Sequence, residues 1–395
     1  MNFMFIKEYE YYLNKNNEDS FYLASIFIRY FKSKKISTLC FKVIAVISIF
    51  IIFYDFFLQV IRKIKFNKLR IVASDVYINS SSPKEFNHLR RKKIYKPEFN
   101  VLNFPYKMKL KDVKKINIEC LLPIKSYIKA LNNSIKSNLY LMRKYGLNGA
   151  FYSITSYKYF LMNEFLNSLP DKTNIYFNNQ KDRWALLFDS MDKLNKNLVQ
   201  HGTNIVNLDN PKVTKFFGYD EVYKNYYLNM PYKLKNIDTL YAFTEKEARY
   251  VLLGEQTSDN LDVVYIGYPI ILTPIGKAKN TVSVLIVGCY NMYFEEEMQL
   301  LDILKNESCV IYLKPHPTME KKIYRKIKDQ YCFILITEDI FPDVDIVFSY
   351  SSTLAFEYEN SGKKVIYYNN IRTNNSNKIN RKEVLKLLNY SKKSN

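Results

Sequence analysis

At 395 residues the chain is too long for one small core and suits two domains of ordinary size. Its 48% hydrophobic and 25% charged residues exclude a disordered chain, and 35 Tyr with 27 Phe supply large side chains for an interior. The formal charge of +21 points to nucleic acid, an anionic membrane or an acidic substrate. Lys is spread along a chain also rich in Asn, Ile and Tyr, so part of the excess is compositional. No nucleic-acid motif accompanies it, and the remainder fits a membrane surface best. Cys40, Cys120, Cys289, Cys309 and Cys332 include no C-x-x-C pair, which argues against a disulfide framework or a zinc site and for a reducing, cytosolic compartment.

Residues 1–38 show no cleavable signal pattern. The run VIAVISIFIIFY at 43–54 is free of charge, with Arg29, Lys32, Lys34 and Lys35 before it and Arg62, Lys63, Lys65, Lys68 and Arg70 after it. Basic flanks on both sides give no orientation for a span. They suit a helix at a cytoplasmic membrane surface, so residues 1–68 read as a helical membrane-associating segment, peripheral or crossing once. A first strand is expected at Leu69–Ser74. A long helix follows, in which Ile124, Tyr127, Ile128, Leu131, Ile135, Leu139 and Met142 share one face, read as core-facing. Further strands are expected at Asn174–Phe177, Leu198–Gln200, Thr239–Phe243 and Val263–Ile266, and Thr244 to Glu247 forms a capping box. Residues 269–281 read as a linker.

A second alternating unit then begins. Strands are expected at Val282–Val287, 309–313, 332–336, 345–348 and 364–368, with helices at Phe294–Leu304, 319–328 and 353–360. From about 370 the chain reads as frayed, with Val384, Leu385, Leu387 and Leu388 offering a closing helix. Strand–helix alternation implies parallel sheets with helical crossovers. The expected fold is α/β, two Rossmann-like domains at 69–272 and 273–395 behind the N-terminal apolar segment.

Two segments stand where a strand runs out and a helix begins: Lys314-Pro315-His316-Pro317 and Ser349-Tyr350-Ser351-Ser352-Thr353. Ligands of open parallel sheets bind outside the carboxyl ends of strands, and a helix start offers N–H groups to a phosphate. With the usual doubly wound order, these loops and the one at Gly288 converge on one crevice. His316 offers an imidazole, Ser351, Ser352 and Thr353 offer hydroxyls, and Glu357, one turn beyond Thr353, is placed to take ribose hydroxyls. His201, in Gln200-His201-Gly202, again follows an apolar strand and suits a general base or a stabiliser of the leaving phosphate. Asp182, Asp189, Asp238 and Glu245 lie near strand ends of the first half, and Asp182 is assigned with His201 as catalytic. His88, in a basic run with Arg90, Arg91, Lys92 and Lys93, reads as a surface residue. Asp343-Val344-Asp345 imitates a metal-binding D-x-D but sits at a strand entrance, so the match is accidental.

These motifs resemble the two-domain GT-B glycosyltransferases, and more narrowly the bacterial enzymes that use CMP- or CDP-linked donors for capsule, teichoic acid or lipooligosaccharide. His316-Pro317 matches the His-Pro motif and Ser351-Ser352-Thr353 the Ser-Ser/Thr motif of the polysialyltransferase group. His201-Gly202 matches the upstream His-Gly of CDP-glycerol glycerophosphotransferases. The resemblance implies that His316 and the serines Ser351 and Ser352 bind the nucleotide phosphate; with Gly288, Lys314, Pro317, Thr353 and Glu357 of the same crevice they make up the expected donor site of the C-terminal domain. It also implies that His201 faces the acceptor, a glycan or lipid-linked glycan, in an N-terminal acceptor domain. Inverting transfer without metal or resident cofactor is implied as well. The Asp/Glu-Asp/Glu-Gly motif of the polysialyltransferase group is absent, which speaks against a sialyl donor. A UDP-sugar donor on the same fold and a non-catalytic basic protein binding lipid or nucleic acid are the alternatives; no nucleic-acid partner is expected in the leading reading.

Overall fold

The computed structural model describes residues 38–65, 76–78, 83–96, 99–104, 113, 115–178, 183–200, 234, 236–245, 248, 261–276, 281–288, 294–316, 321–336, 340–350, 352–373 and 378–393. The chain divides into two compact units, the first ending at Ile266 and the second taking up the chain at Gly267. The stretch expected at Leu69–Ser74 as a first strand lies outside the described residues.

In the first unit, two apolar helices, α1 (Thr38–Val46) and α2 (Ser48–Lys65), precede β1 (Val76–Ile78), α3 (Pro83–Arg91), β2 (Asn100–Leu102) and β3 (Lys115–Ile116). The short α4 (Ile118–Leu121) leads into α5 (Ile124–Tyr152), and α6 (Ser156–Ser168) follows it. The rest is β4 (Asn174–Phe177), α7 (Arg183–Asp189), β5 (Asn195–Val199), β6 (Thr239–Ala242) and β7 (Asp262–Tyr265). The strands form one sheet in the order β3-β2-β1-β4-β5-β6-β7, every pairing parallel. One face carries Ile175, Phe177, Leu198, Leu240 and Ala242 against Tyr127, Phe160 and Phe165 of the long helices. The other carries aromatic rings: Tyr176 packs edge-on to Tyr95 at 5.3 Å and tilted against Tyr241 at 6.0 Å. This is the period-two partition of a sheet covered on both faces.

Helix α5 departs from its expected role. Tyr127 is buried and Leu131 and Ile135 pack against the core, but Ile124, Ile128, Leu139 and Met142 of the same face are exposed. The helix also breaks at Gly146, whose φ of 62° and ψ of −143° belong to no helix. Helix α2 is bound to this body. Asn138 Nδ2 donates to Ser48 Oγ at 2.9 Å, Asp55 faces Lys158 of α6 at 3.8 Å, and Ile52 enters the core. Among the described residues no helix is long and apolar enough to cross a membrane.

His88, expected on the surface, is only 4% exposed. Its Nε2 donates to the carbonyl of Ile266 at 2.9 Å, tying α3 to the chain just beyond β7, while Arg90, Arg91, Lys92 and Lys93 stay outside. A carbonyl can only accept, so this contact fixes the tautomer.

The second unit runs β8 (Val282–Val287), α8 (Phe294–Leu304), β9 (Cys309–Lys314), α9 (Lys321–Tyr331), β10 (Ile334–Leu335), β11 (Ile346–Ser349), α10 (Thr353–Asn360), β12 (Lys364–Tyr367) and α11 (Arg381–Lys393). Its sheet has the order β10-β9-β8-β11-β12, again all parallel. Every residue of β8 is buried. Val282, Val284 and Ile286 join a cluster with Leu300, Leu301 and Tyr324, from α8 and α9. Leu285 and Val287 face the other way, onto Tyr358 of α10. Helices α8 and α9, before the return to the sheet centre, and α10, just after it, thus cover opposite faces, which is double winding. The stretch read as a linker from 269 is packed: Ile270 is buried with Leu285 and Val347, and Thr273 N donates to Phe341 O at 2.7 Å. Helix α11 buries Val384 and Leu388, so the closing helix offered by these residues forms and covers the core where the stretch from 370 otherwise read as frayed.

Replacing His88 with Ala removes the buried donor to Ile266 O. The expected loss is about 1–3 kcal/mol, the cost of a stranded polar group, read as a lower urea midpoint for the first unit.

Candidate functional site

Strand β8 pairs on both sides, and Val287 stands opposite Lys314 of β9 and Ser349 of β11 at once. The loops after β8, β9 and β11 therefore leave the sheet at one level. The outer two are about 10 Å apart, two strand spacings. This is also where the strand order reverses, the place at which open α/β sheets bind ligands. The loops are in contact: Gly288 N donates to Lys314 O at 2.8 Å. A Cβ at position 288 would lie 3.1 Å from Pro315 Cα and 3.2 Å from His316 N, so glycine permits the approach.

Ser352 caps α10. Its φ of −121° and ψ of 152° are extended, and its Oγ accepts from Ala355 N at 3.1 Å. Buried Ser349 Oγ lies 3.1 Å from the same oxygen and steadies it. The first turn of α10 holds no acidic residue, whereas that of α8 holds Glu295, Glu296 and Glu297. Of these two helix starts, the one at α10 is matched to an anion.

The acidic start of α8 is internally occupied. Glu296 Oε1 accepts from Arg372 Nη2 at 2.6 Å, and the same Nη2 donates to Tyr350 Oη at 3.1 Å. Glu297 Oε2 accepts from Tyr324 Oη at 2.6 Å. Burial, and then the neighbouring Glu296 charge, push the Tyr350 phenol well above its usual range, so it stays protonated. Arg372 thereby fastens the start of α8 to the loop after β11. Sequence reading missed all three residues of this cluster, because nothing local links positions 296, 350 and 372.

The expected site residues fare differently. His316 is half-buried, and loss of solvent lowers its imidazole below the ordinary value of 6.5, so it is neutral at pH 7. Lys314 is directed elsewhere: its Nζ donates to Ile340 O at 3.3 Å and stands 4.9 Å from the centre of the Phe341 ring. Glu357 has no exposed surface, which removes it as a contact for ribose hydroxyls. Thr353 opens α10 as expected. Pro317, Ser351, His201 and Asp182 lie outside the described residues.

The other carboxylates serve the fold. Asp189 Oδ1 accepts from Asn236 N at 2.7 Å, and Asp238 Oδ2 accepts from Lys196 N at 2.6 Å. Asp238 immediately precedes β6, the wrong end of the strand for the crevice. Asp345 Oδ2 accepts from the Ser283 backbone N–H and hydroxyl at 2.8 and 2.7 Å, and Asp343 pairs with Lys363. Both of these aspartates precede β11, at its amino end.

No protein-family model matches the chain, and no curated protein matches it. Among solved structures it is similar to Anabaena HepE in complex with UDP and glucose, at 13% identity and a TM-score of 0.39, over 80% of this chain and 89% of that one. It is similar to the wall teichoic acid polymerase TagF soaked with CDPG, at 10% identity and a TM-score of 0.37, over 75% and 70%. A third is the lipopolysaccharide outer core galactosyltransferase WaaB, at 11% identity and a TM-score of 0.33, over 74% and 80%. At scores this low the likenesses decide nothing about activity, which rests on the residues themselves.

Arg372→Met strands a buried carboxylate, so the second unit is expected to lose about 3 kcal/mol. Adding Glu296→Gln recovers most of it; urea titration of the single and double variants reads the difference.

Proposed function

We propose that this chain is a glycosyltransferase of cell-surface polysaccharide assembly that takes a CMP- or CDP-activated donor, with the donor phosphate held by the second unit. The observation that carries the reading is the shared level of the loops at Gly288, His316 and Ser352, beside the reversal of strand order. A phosphate there meets the amide end of α10 and the capping hydroxyl of Ser352, with no acid in the first turn to repel it.

His316 supplies the other half of the donor site in this reading. Neutral in the free protein, its ring donates one hydrogen bond to a phosphate oxygen. As the glycosyl bond breaks, charge collects on the departing nucleotide, and a proton taken from solvent by the imidazole offsets it. Deprotonation of the acceptor hydroxyl is assigned to His201 with Asp182, from their sequence positions. Transfer proceeds with inversion, and the nucleotide is a substrate rather than a resident cofactor.

Thermal unfolding with saturating CMP, CDP and UDP tests the donor site. CMP or CDP at about a hundred times its Kd contributes about 2.7 kcal/mol, a rise of some 5–10 °C in the transition of the second unit. Silence from all three nucleotides sinks the reading; a response to UDP alone keeps the site and changes the donor.

The pH dependence follows from His316. Its pKa lies below the ordinary value in the free protein and rises beside a dianionic phosphate, so binding takes up a proton. CMP affinity should therefore increase as pH falls from about 8 to about 6.5. In His316→Gln the affinity falls and this slope flattens, leaving the contribution of the phosphate's own titration. Calorimetry in buffers of different ionisation enthalpy counts the proton.

A further inference from the structure

Helices α1 and α2 carry apolar residues on two opposite sides, and among the described residues only one of those sides meets protein. The inner side carries Ala45, Ile52 and Gln59, all buried. The outer side exposes Val43, Phe50, Tyr54, Phe57, Ile61 and Ile64, with Phe50 at 69% and Phe57 at 57%. Their spacings of seven, four, three, four and three place them within about 100° of the helix circumference. Ile47 N bonds to Val43 O and Ile51 N to Ile47 O, so the helical repeat continues across the junction of the two helices. The stripe runs about 32 Å at the helical rise per residue.

We propose that this stripe is a docking face for an anionic lipid bilayer, with α1–α2 lying along the surface rather than crossing it. The inference stands on its own observations and does not depend on the transferase reading. Crossing would require lipid on all sides, but the inner side is occupied by α5 and α6 through Asn138–Ser48 and Lys158–Asp55. Asp55 is the sole acid of the two helices, and it faces the protein. The exposed Lys42 and the half-exposed Arg62 flank the stripe, where their long stems can lift the charges to headgroup phosphates.

Charge separates the bilayer from the other possible occupants. A second copy of this chain brings the same basic flanks, Lys42 and Arg62, to the face. Residues 1–37 hold more Lys and Arg than Asp and Glu, and so offer no complementary charge. An anionic lipid surface supplies it, at a strength that falls with salt.

The test uses the full chain with Phe50→Trp. The single natural tryptophan, Trp184, is buried, so a new red-edge emission reports position 50. The expected result is a blue shift on adding phosphatidylcholine vesicles with about a third phosphatidylglycerol, and little shift with phosphatidylcholine alone. Flotation of the double variant Phe50→Ser/Phe57→Ser should fall by about tenfold or more, at an unchanged melting temperature because both sites are exposed. Emission already blue without lipid at every protein concentration would assign the face to the chain's own residues and overturn the proposal. A blue shift that follows protein concentration would assign it to a second copy, with the same consequence. So would equal flotation of the double variant and the parent.

Discussion

The second unit depends on one strand bonding in parallel to two others in the same register. β8 is central, buried on both faces, and apolar at every position except Ser283. That single hydroxyl is absorbed by Asp345 at the start of the neighbouring strand. Because side chains alternate along a strand, Val284 and Ile286 must meet α8 and α9 while Leu285 and Val287 meet α10. A right-handed crossover can cover both faces only if the chain returns to the middle of the sheet and winds the other way. That return puts β11 beside β8, and it brings the loops of His316 and Ser352 to opposite flanks of Gly288. The level at which the loops of the candidate crevice leave the sheet is a consequence of the core.

Electrostatics then separates two helix starts that topology leaves equivalent. A positive dipole end attracts an anion, but the glutamates in the first turn of α8 have already taken that role. Glu296 is nearly without exposed surface, a position tenable for a carboxylate only with a partner, and Arg372 is that partner. The same guanidinium reaches Tyr350, whose ring stacks edge-on against Tyr368 at 4.6 Å. The buried charge is thus neutralised within a rigid aromatic cluster. The other helix start keeps its polarity, with the Ser352 hydroxyl at its cap. A chain-wide charge of +21 has little part in this distinction, since solvent screens distant lysines within about 8–10 Å.

What could be read from the sequence follows physical locality. The ranges of β8, α8 and α10 were readable because each has an unbroken pattern closed by its own signal, such as Gly288 or the Ser352 cap. β2 and β3 were not, being two or three residues each and stable only as members of an existing sheet. The convergence of the His316 and Ser352 loops followed from strand order, which alternation alone suggests. Side-chain direction was beyond reach. Lys314 stands in the right loop and turns toward Phe341, and Glu357 stands one turn beyond Thr353 and turns inward. His88 looked like part of a basic surface run, but its partner is a carbonyl 178 positions away. The Arg372 cluster likewise joins residues from three separate elements.

The first helices show why hydropathy alone left two membrane readings open. A transfer scale adds up apolar side chains without asking what each one faces, so a helix between protein and lipid scores like a short span. α2 has two apolar sides: Ile52 and Phe56 go to the core of the first unit, and Phe50 and Phe57 face outward. The intervening polar groups are assigned by side as well. Ser48 and Asp55, which interrupt the hydropathy of the run, both make their contacts with protein. Removing them from the outer count leaves a stripe more apolar than the average of the helix, and that stripe is too narrow to be surrounded by lipid. A helix of this kind is held in a definite rotation by its polar inner contacts. Rotation is what decides which residues meet a surface, so Asn138 and Lys158, although they face away from it, set the composition of the outer face.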